Sequence, residues 1–427
     1  MLTILLICLA ILFILNMPIA FAILTAVSLY IFLSDNTVPL TVIIQRMVTG
    51  IDKFVFLAIP FFVLSGLIMQ KGGLADRLIT LSSLLLRRLT GGFGMATSFA
   101  SMIFSSISGS GPATTAAIGG SMLPALERKG YGKEWSVAYI ACAGTMGPII
   151  PPSITLVLFG AMSNTSISAL FIGGILPGIL IAVTLMFMSY LRAKKMNIRE
   201  VENDSTNMSL WKAFKDSLLA LIMPIVIIGG IVGGFFTPTE AAVISVVYAI
   251  IVCCFIYRTL NLKDLFSIFT ETASVSAVIM VLTANASVFA WILSVEQAPQ
   301  KLIGLISLIT DDKILILLMI NLILILIGCF MDTTSALIIT VPTLLALTAT
   351  IDVSPLHLGL IMGVNLAIGM ATPPLGFTLF TACSIGDVSI SQTFRPILPM
   401  IGIILLVVFL VTYLPDVFLW LPNLLYN

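Results

Sequence analysis

Two apolar stretches of this chain carry the same helix-breaking signature. Gly144-Thr-Met-Gly-Pro-Ile-Ile-Pro-Pro-Ser153 is matched by Asn365-Leu-Ala-Ile-Gly-Met-Ala-Thr-Pro-Pro-Leu375, with Gly369, Pro373 and Pro374 standing 222 residues beyond Gly147, Pro151 and Pro152. The same offset relates Ile175-Leu176-Pro177 to Ile397-Leu398-Pro399. Proline lacks a backbone donor and crowds the preceding turn, so Pro-Pro behind a glycine opens a helix. Opened backbone presents carbonyl oxygens, which suit a hard cation such as Na⁺. Half-helix N-termini present free N–H groups and a positive dipole end, which suit a carboxylate. In hydrocarbon such a break survives only where protein or a polar cavity satisfies it. Two matched breaks in the two halves of a membrane protein therefore predict a transport site near the bilayer midplane.

Each break has a polar companion. Ser105-Ser-Ile-Ser-Gly-Ser-Gly-Pro-Ala-Thr-Thr115 interrupts the apolar segment 91–126, and Cys329-Phe-Met-Asp-Thr-Thr-Ser335 interrupts 314–350. Both read as tips of re-entrant hairpins, because each half is short and turns on small or polar residues. Pairing each tip with the break of its own half gives two Na⁺ sites. The first would use Ser105, Ser106 and Ser108 with Gly144, Thr145, Gly147, Ile150 and Pro151. The second would use Gly328 with Gly369, Thr372 and Pro373. The alternative is that the Gly/Pro breaks are packing kinks, common in membrane helices.

Asp332 is the most informative single residue. Eighteen uncharged residues separate it from Lys313 and nineteen from Asp352, and an intramembrane carboxylate costs at least ~2.5–3.5 kcal/mol on insertion scales. It is expected to line the substrate site, unless it is only a solvated hairpin tip. Ser108, Ser110 and Ser153 are the hydroxyls expected to contact substrate, against the alternative that each bonds back to its own helix. Deep in the spans there is no Lys or Arg, so an acidic substrate would be met by Na⁺, helix dipoles and hydroxyls. A monoanion moving with two Na⁺ carries one net positive charge, worth ~2.3 kcal/mol per 100 mV in the inward direction.

Other groups read as structural. Glu240 behind Thr237-Pro-Thr is placed to cap the following helix, and Asp387 to sit in a solvated turn. A hydrolytic dyad would pair His357, the only histidine, with Ser108, but Ser106 stands where a nucleophile turn needs glycine. Neither zinc-ligand spacing nor a phosphate-cradling loop occurs, so no enzyme activity is expected. The six cysteines (Cys8, Cys142, Cys253, Cys254, Cys329, Cys383) lie in apolar segments and read as small core residues.

The elements around these residues must be membrane-spanning helices. Hydrophobic residues make up 59% of the 427 and charged residues 9%, with mean hydropathy +1.18, against roughly 25% charged in soluble domains. The net charge of +1 offers no basic face to nucleic acid. Met1-Leu-Thr lacks a basic leader, so no cleavable signal is expected. Predicted in order are two short N-terminal helices or one broken at Asn16-Met-Pro18, an amphipathic piece at 35–53, a span at 54–70 and a short helix at 78–86. The first hairpin, a broken span at 135–163 and a span at 168–191 follow. After the hydrophilic joint at 192–216 come spans at 218–236 and 241–257, an amphipathic piece from Asn261 and a separate span at 275–295. The second hairpin, a broken span at 356–385 and a last span at 396–414 complete the chain. Basic residues stay cytoplasmic, and 15 of the 20 Lys and Arg precede Asp216. Counting crossings from that joint, the hairpins enter from opposite faces. The fold expected is an all-α polytopic protein of two inverted repeats. Residues 1–205 are the first, with scaffold helices in 1–90 and hairpin plus broken helix in 91–191. Residues 206–427 are the second, with scaffold in 206–300 and the remainder in 301–427.

Taken together, Ser-Gly-Ser-Gly-Pro-Ala-Thr-Thr (108–115), Gly-Pro-Ile-Ile-Pro-Pro-Ser (147–153), Phe-Thr-Pro-Thr-Glu-Ala-Ala (236–242), Met-Asp-Thr-Thr (331–334) and Ala-Thr-Pro-Pro-Leu-Gly (371–376) resemble, end to end, the large membrane subunit of TRAP transporters. The resemblance implies a sodium-coupled, elevator-type importer of organic acids in a bacterial inner membrane. It also implies two partners, a small four-helix membrane subunit and a periplasmic substrate-binding protein. The chain begins at the first helix of the large subunit, so a fused small subunit is not expected. Its motifs are most similar to members that import sialic acid (N-acetylneuraminate). Two other readings stay open at this point: a stand-alone Na⁺/carboxylate transporter without a binding protein, and a membrane scaffold or enzyme subunit without flux.

Overall fold

The computed structural model describes residues 2–15, 17–33, 39–198 and 208–426, and all regular structure among them is helical. The first half runs α1 (Leu2–Ile14), α2 (Ile19–Leu33), α3 (Leu40–Ile51), α4 (Ala58–Lys71, entered through a 3₁₀ turn at Phe54–Leu57), α5 (Leu74–Leu86), α6 (Gly92–Ser108), α7 (Gly111–Arg128), α8 (Lys133–Gly144), α9 (Ile154–Ser163) and α10 (Ile167–Met196). The second runs α11 (Leu210–Val232), α12 (Pro238–Ile250, continued as a π-helix over Ile251–Ile256), α13 (Leu262–Val295), α14 (Ala298–Ser307), α15 (Lys313–Phe330), α16 (Thr333–Ala349), α17 (Pro355–Gly369), α18 (Phe377–Gly386), α19 (Ile390–Tyr413) and α20 (Pro415–Tyr426). Among the described residues, seven helical segments are long and apolar enough to cross a bilayer. The proposed boundary between repeats at 205/206 lies outside the described residues.

Both re-entrant segments fold back on themselves. In the first, the ends away from the tip meet where Lys129 Nζ lies over the Phe93 ring and the Tyr131 hydroxyl accepts from Gly94 N. In the second they meet where Lys313 Nζ donates to Asp352 O, 3.1 Å away. The four arms have 17 or 18 residues, somewhat short of the roughly 20 that cross a bilayer comfortably. Only a two-residue turn joins each pair, Gly109-Ser110 in one and Met331-Asp332 in the other.

The inversion shows in how the broken helices lie side by side. A Cβ on Gly359, near the start of α17, would strike Phe159 near the end of α9, and one on Gly386, at the end of α18, would strike Val137 near the start of α8. The two broken helices therefore run antiparallel, and each hairpin opens at the end where its own broken helix begins. One opens toward the basic margins and the other away from them. Among the described residues, Arg46, Lys53, Lys301 and Lys313 are the only Lys and Arg on the far side by this count, in keeping with cytoplasmic retention of positive charge.

Three local readings change. Residues 261–295 hold no separate amphipathic piece: α13 is one 34-residue helix, started by an Asn261–Asp264 capping box. Thr270, Thr272, Ser274, Thr283 and Ser287 bond back to carbonyls one turn earlier in the same helix, so they do not interrupt it. Gly328 lies in the last turn of α15 and not in the tip itself. The short helices α14 and α20 are additions that the hydropathy pattern does not signal. Glu240 does complete a capping box with Thr237 at the start of α12, and Asp387 is exposed in the turn after α18.

Candidate functional site

Each hairpin tip rests directly on the break of its own half. A Cβ on Gly147 would collide with the Ser110 carbonyl and Gly111 N, and one on Gly109 would come within 2.6 Å of Pro152 O. In the second half, a Cβ on Gly369 would lie 2.5 Å from Gly328 Cα, and Gly376 N donates to Cys329 O at 2.9 Å. Glycine is required at these points because backbone meets backbone. Both Pro-Pro bonds, Pro151–Pro152 and Pro373–Pro374, are cis.

The two seats differ in their hydrogen bonding. In the first, Thr145 Oγ1 donates to Cys142 O and Ser106 Oγ to Ile103 O, each within its own helix. Ser105 Oγ is fully buried without any hydrogen-bond partner. Among the described residues, the carbonyls of Gly147, Ile150 and Pro151 accept no protein hydrogen bond, while Gly144 O accepts from Gly147 N. In the second, Met370 O accepts from Thr378 N, Leu379 N and Thr378 Oγ1, and Thr372 Oγ1 donates to Ile368 O. The Thr372 and Pro373 carbonyls accept none among the described residues. The first break is buried throughout, whereas Pro374 and Leu375 of the second are exposed, and Pro373 and Pro374 line a cavity of about 730 Å³ together with Ile390, Gln392 and Arg395.

The tips face each other across a second cavity of about 320 Å³. Its polar lining is Ser110, Thr155, Asp332, Thr333 and Thr334, and its apolar wall is Val275, Val278, Ile279 and Leu282 of α13. No lining residue is basic. Thr155 Oγ1 lies 3.1 Å from Thr333 Oγ1, so the first break and the second tip touch. Asp332 is half-buried and caps α16: Oδ2 accepts from Thr334 N and Ser335 N, and Oδ1 from Ser335 Oγ at 2.5 Å. The carboxylate thus has a structural role as well as a place in the cavity.

The three candidate serines separate. Ser110 lines the cavity. Ser108 turns inward, its Oγ 2.8 Å from Thr114 Oγ1. Ser153 is fully buried and caps α9, donating to Pro148 O and accepting from Leu156 N, and it does not line the cavity. Thr155 and the α13 wall went unnoticed in the sequence. A threonine three residues past the Pro-Pro is the only trace of the former, and the latter is legible only in the tertiary structure. His357 is buried with Nε2 2.8 Å from Val411 O, turned to α19 and away from Ser108.

The family model of the tripartite ATP-independent periplasmic (TRAP) transporter DctM component matches residues 6–417. The chain belongs to this family. TRAP large permeases are multi-pass inner-membrane transport proteins and not enzymes, and this chain is one of them. It is 39% identical over 408 residues to the isethionate TRAP transporter permease protein DctMQ of Oleidesulfovibrio alaskensis, covering 96% of this chain and 64% of that protein. It is 35% identical to the sialic acid TRAP transporter large permease protein SiaM of Vibrio cholerae, covering 96% and 95%. It is also 35% identical to the C4-dicarboxylate TRAP transporter large permease protein DctM of Pseudomonas aeruginosa, covering 93% and 92%. The crystal structure of the Alcanivorax borkumensis YdaH transporter shares the fold, with a TM-score of 0.63 at 15% identity over 88% of both chains.

Proposed function

We propose that this TRAP large permease carries out Na⁺-driven uptake of an organic acid by an elevator mechanism. On this reading a small four-helix membrane subunit assists it and a periplasmic binding protein delivers the substrate. The observation that carries the reading is the convergence of both tips and the first break on one cavity, with unpaired carbonyls at each break. Residues at the first seat fit a hard cation as cargo: Ser105 Oγ is buried without a partner, and Gly147, Ile150 and Pro151 offer carbonyls. The second seat offers the Thr372 and Pro373 carbonyls. Two Na⁺ would offset both the substrate's charge and that of Asp332.

The names of the relatives point to different acids at similar identity, so resemblance alone does not choose among them. The lining narrows the class. One carboxylate, several hydroxyls and no cation disfavour a second negative charge and favour a hydroxylated monoanion, whose donors Asp332 can accept. Sialic acid is the member of that class we propose. Proteoliposomes holding this chain with a candidate small subunit and binding protein should take up labelled N-acetylneuraminate under an inward Na⁺ gradient and not under K⁺. Uptake without the binding protein would instead indicate a stand-alone transporter, and no Na⁺-dependent flux of any acid would refute the assignment.

A further inference from the structure

In each half, one buried polar joint ties together the same three helices: the outer arm of the hairpin, the leading half of the broken helix and the span that follows. In the second half these are α15, α17 and α19. Asn365 Nδ2 donates to Asn321 Oδ1 at 2.9 Å, Asn321 Nδ2 lies 3.1 Å from Thr412 Oγ1, and all three residues are buried. In the first half the corresponding helices are α6, α8 and α10. There the Tyr139 hydroxyl lies 2.5 Å from Ser98 Oγ and 3.0 Å from both Gly94 O and Leu185 O.

The two joints are not copies. At the repeat offset, Asn321, Asn365 and Thr412 correspond to Phe99, Ala143 and Tyr190, while Tyr139 and Ser98 correspond to Ile361 and Ile320. What recurs is the connection between three helices, made with different chemistry at different positions. Stability is a poor explanation for the second joint. Interhelical hydrogen bonds within bilayers add little net stability, and this one leaves Asn365 Oδ1 buried with no donor. Direction is the better explanation, since a hydrogen bond fixes register where apolar packing allows sliding. Asn365 stands one turn before Gly369 and Asn321 two turns before Gly328, and it is the Gly328–Gly369 contact that closes the second seat.

We infer that Asn321, Asn365 and Thr412 are positioning residues. They hold α15 in register with α17 and α19 so that the second tip meets the second break, and they thereby set that break's affinity for its cation. This rests on the sodium reading proposed above. None of the three lines the cavity.

The test uses the purified full chain in detergent, with its thermal unfolding midpoint followed as NaCl replaces choline chloride at constant ionic strength. Wild type should be stabilised by Na⁺ in a saturable manner. Asn321→Leu/Asn365→Leu exchanges both amides for apolar groups of similar size, and Thr412→Val removes only the hydroxyl. Both should keep the midpoint without Na⁺ close to wild type yet raise the half-saturating Na⁺ about tenfold, within the range for sites coupled through a shared backbone shift. Thr412→Ser keeps the hydroxyl and should behave as wild type. A wild-type chain indifferent to Na⁺ would overturn the sodium reading, and this inference with it. A responsive wild type with unchanged half-saturation in both variants would overturn the inference alone. So would a lower midpoint without Na⁺ and no change in affinity, which would make the joint a purely structural one.

Discussion

The first seat is closed and the second is open. Ile150 of the first break is 7% exposed, whereas Leu375 beyond the second is 49% exposed. Two stretches of such similar sequence, each carrying its own hairpin tip, thus differ in exposure within one conformation. What differs is the covering. The first break lies under Gly109–Gly111, with Gly66 of α4 behind Ser108, and the second is covered on one side only, the other facing the 730 Å³ cavity. An inverted pair in an asymmetric state is what alternating access requires, because one conformation must favour one face.

The largest expected effect is all-or-none. In a background without the six native cysteines, Leu375→Cys should react with a small thiol reagent and Ile150→Cys should not. Lys129→Cys and Asp312→Cys should be labelled from opposite sides of the membrane. Equal reactivity of the two breaks would erase the comparison, and labelling of both margins from one side would refute the inversion.

Next comes Gly147→Ala, whose Cβ would strike backbone that has no room to retreat. Overpacking of about 1–3 kcal/mol corresponds to roughly 5- to 150-fold, and uptake should fall toward the upper end. Gly369→Ala should cost less, because the second seat opens on one side. Measured uptake rates at saturating Na⁺ decide the order, and a reversal would mean the open seat is the more tightly fitted.

Asp332 separates charge from shape. Asparagine is as good an N-cap as aspartate, so Asp332→Asn should keep the unfolding midpoint and lose most uptake. Asp332→Ala also removes the cap, which costs about 0.5–2 kcal/mol, and should lower the midpoint as well as uptake. Normal transport by Asp332→Asn would leave the carboxylate with capping alone.

The smallest effects compare two hydroxyls. Ser105→Ala deletes a buried group with no partner, so stability should hold or rise slightly while half-saturating Na⁺ rises about fivefold, the equivalent of roughly 1 kcal/mol. Thr372→Val removes a hydroxyl already bonded to Ile368 O and should change Na⁺ dependence less. Equal shifts would show that the two seats use their side chains alike.

Much of this was legible beforehand because it rests on backbone. Gly-Pro-Pro at a fixed offset, the Gly/Ser tip and the sidedness of Lys and Arg are local signals, and the hairpins and broken helices follow from them. What escaped depends on partners remote in sequence. Asn365 in an apolar helix is an isolated polar residue until Asn321 and Thr412 stand beside it. Val275 and Leu282 are in sequence only apolar residues of a predicted span, yet they wall the cavity. Ser153 looked like a ligand because it follows the break, although the first residue of any new helix is also its natural cap. Capping took the side chain.

The antiparallel broken helices also constrain how the protein is made. Val137 and Phe159 are covered by Gly386 and Gly359, residues synthesised roughly 200 or more positions later. At about 5–20 residues per second the first broken helix waits on the order of 10–50 s for its mate. During that interval its opened turn is held by its own hairpin and by α10, whose Gly174 and Gly178 lie against Ile149 and Ile150. The ribosome therefore delivers a first half that must be tolerated by the membrane before it can be completed, and mutations that weaken the α6–α7 hairpin should lower yield before they impair the finished carrier.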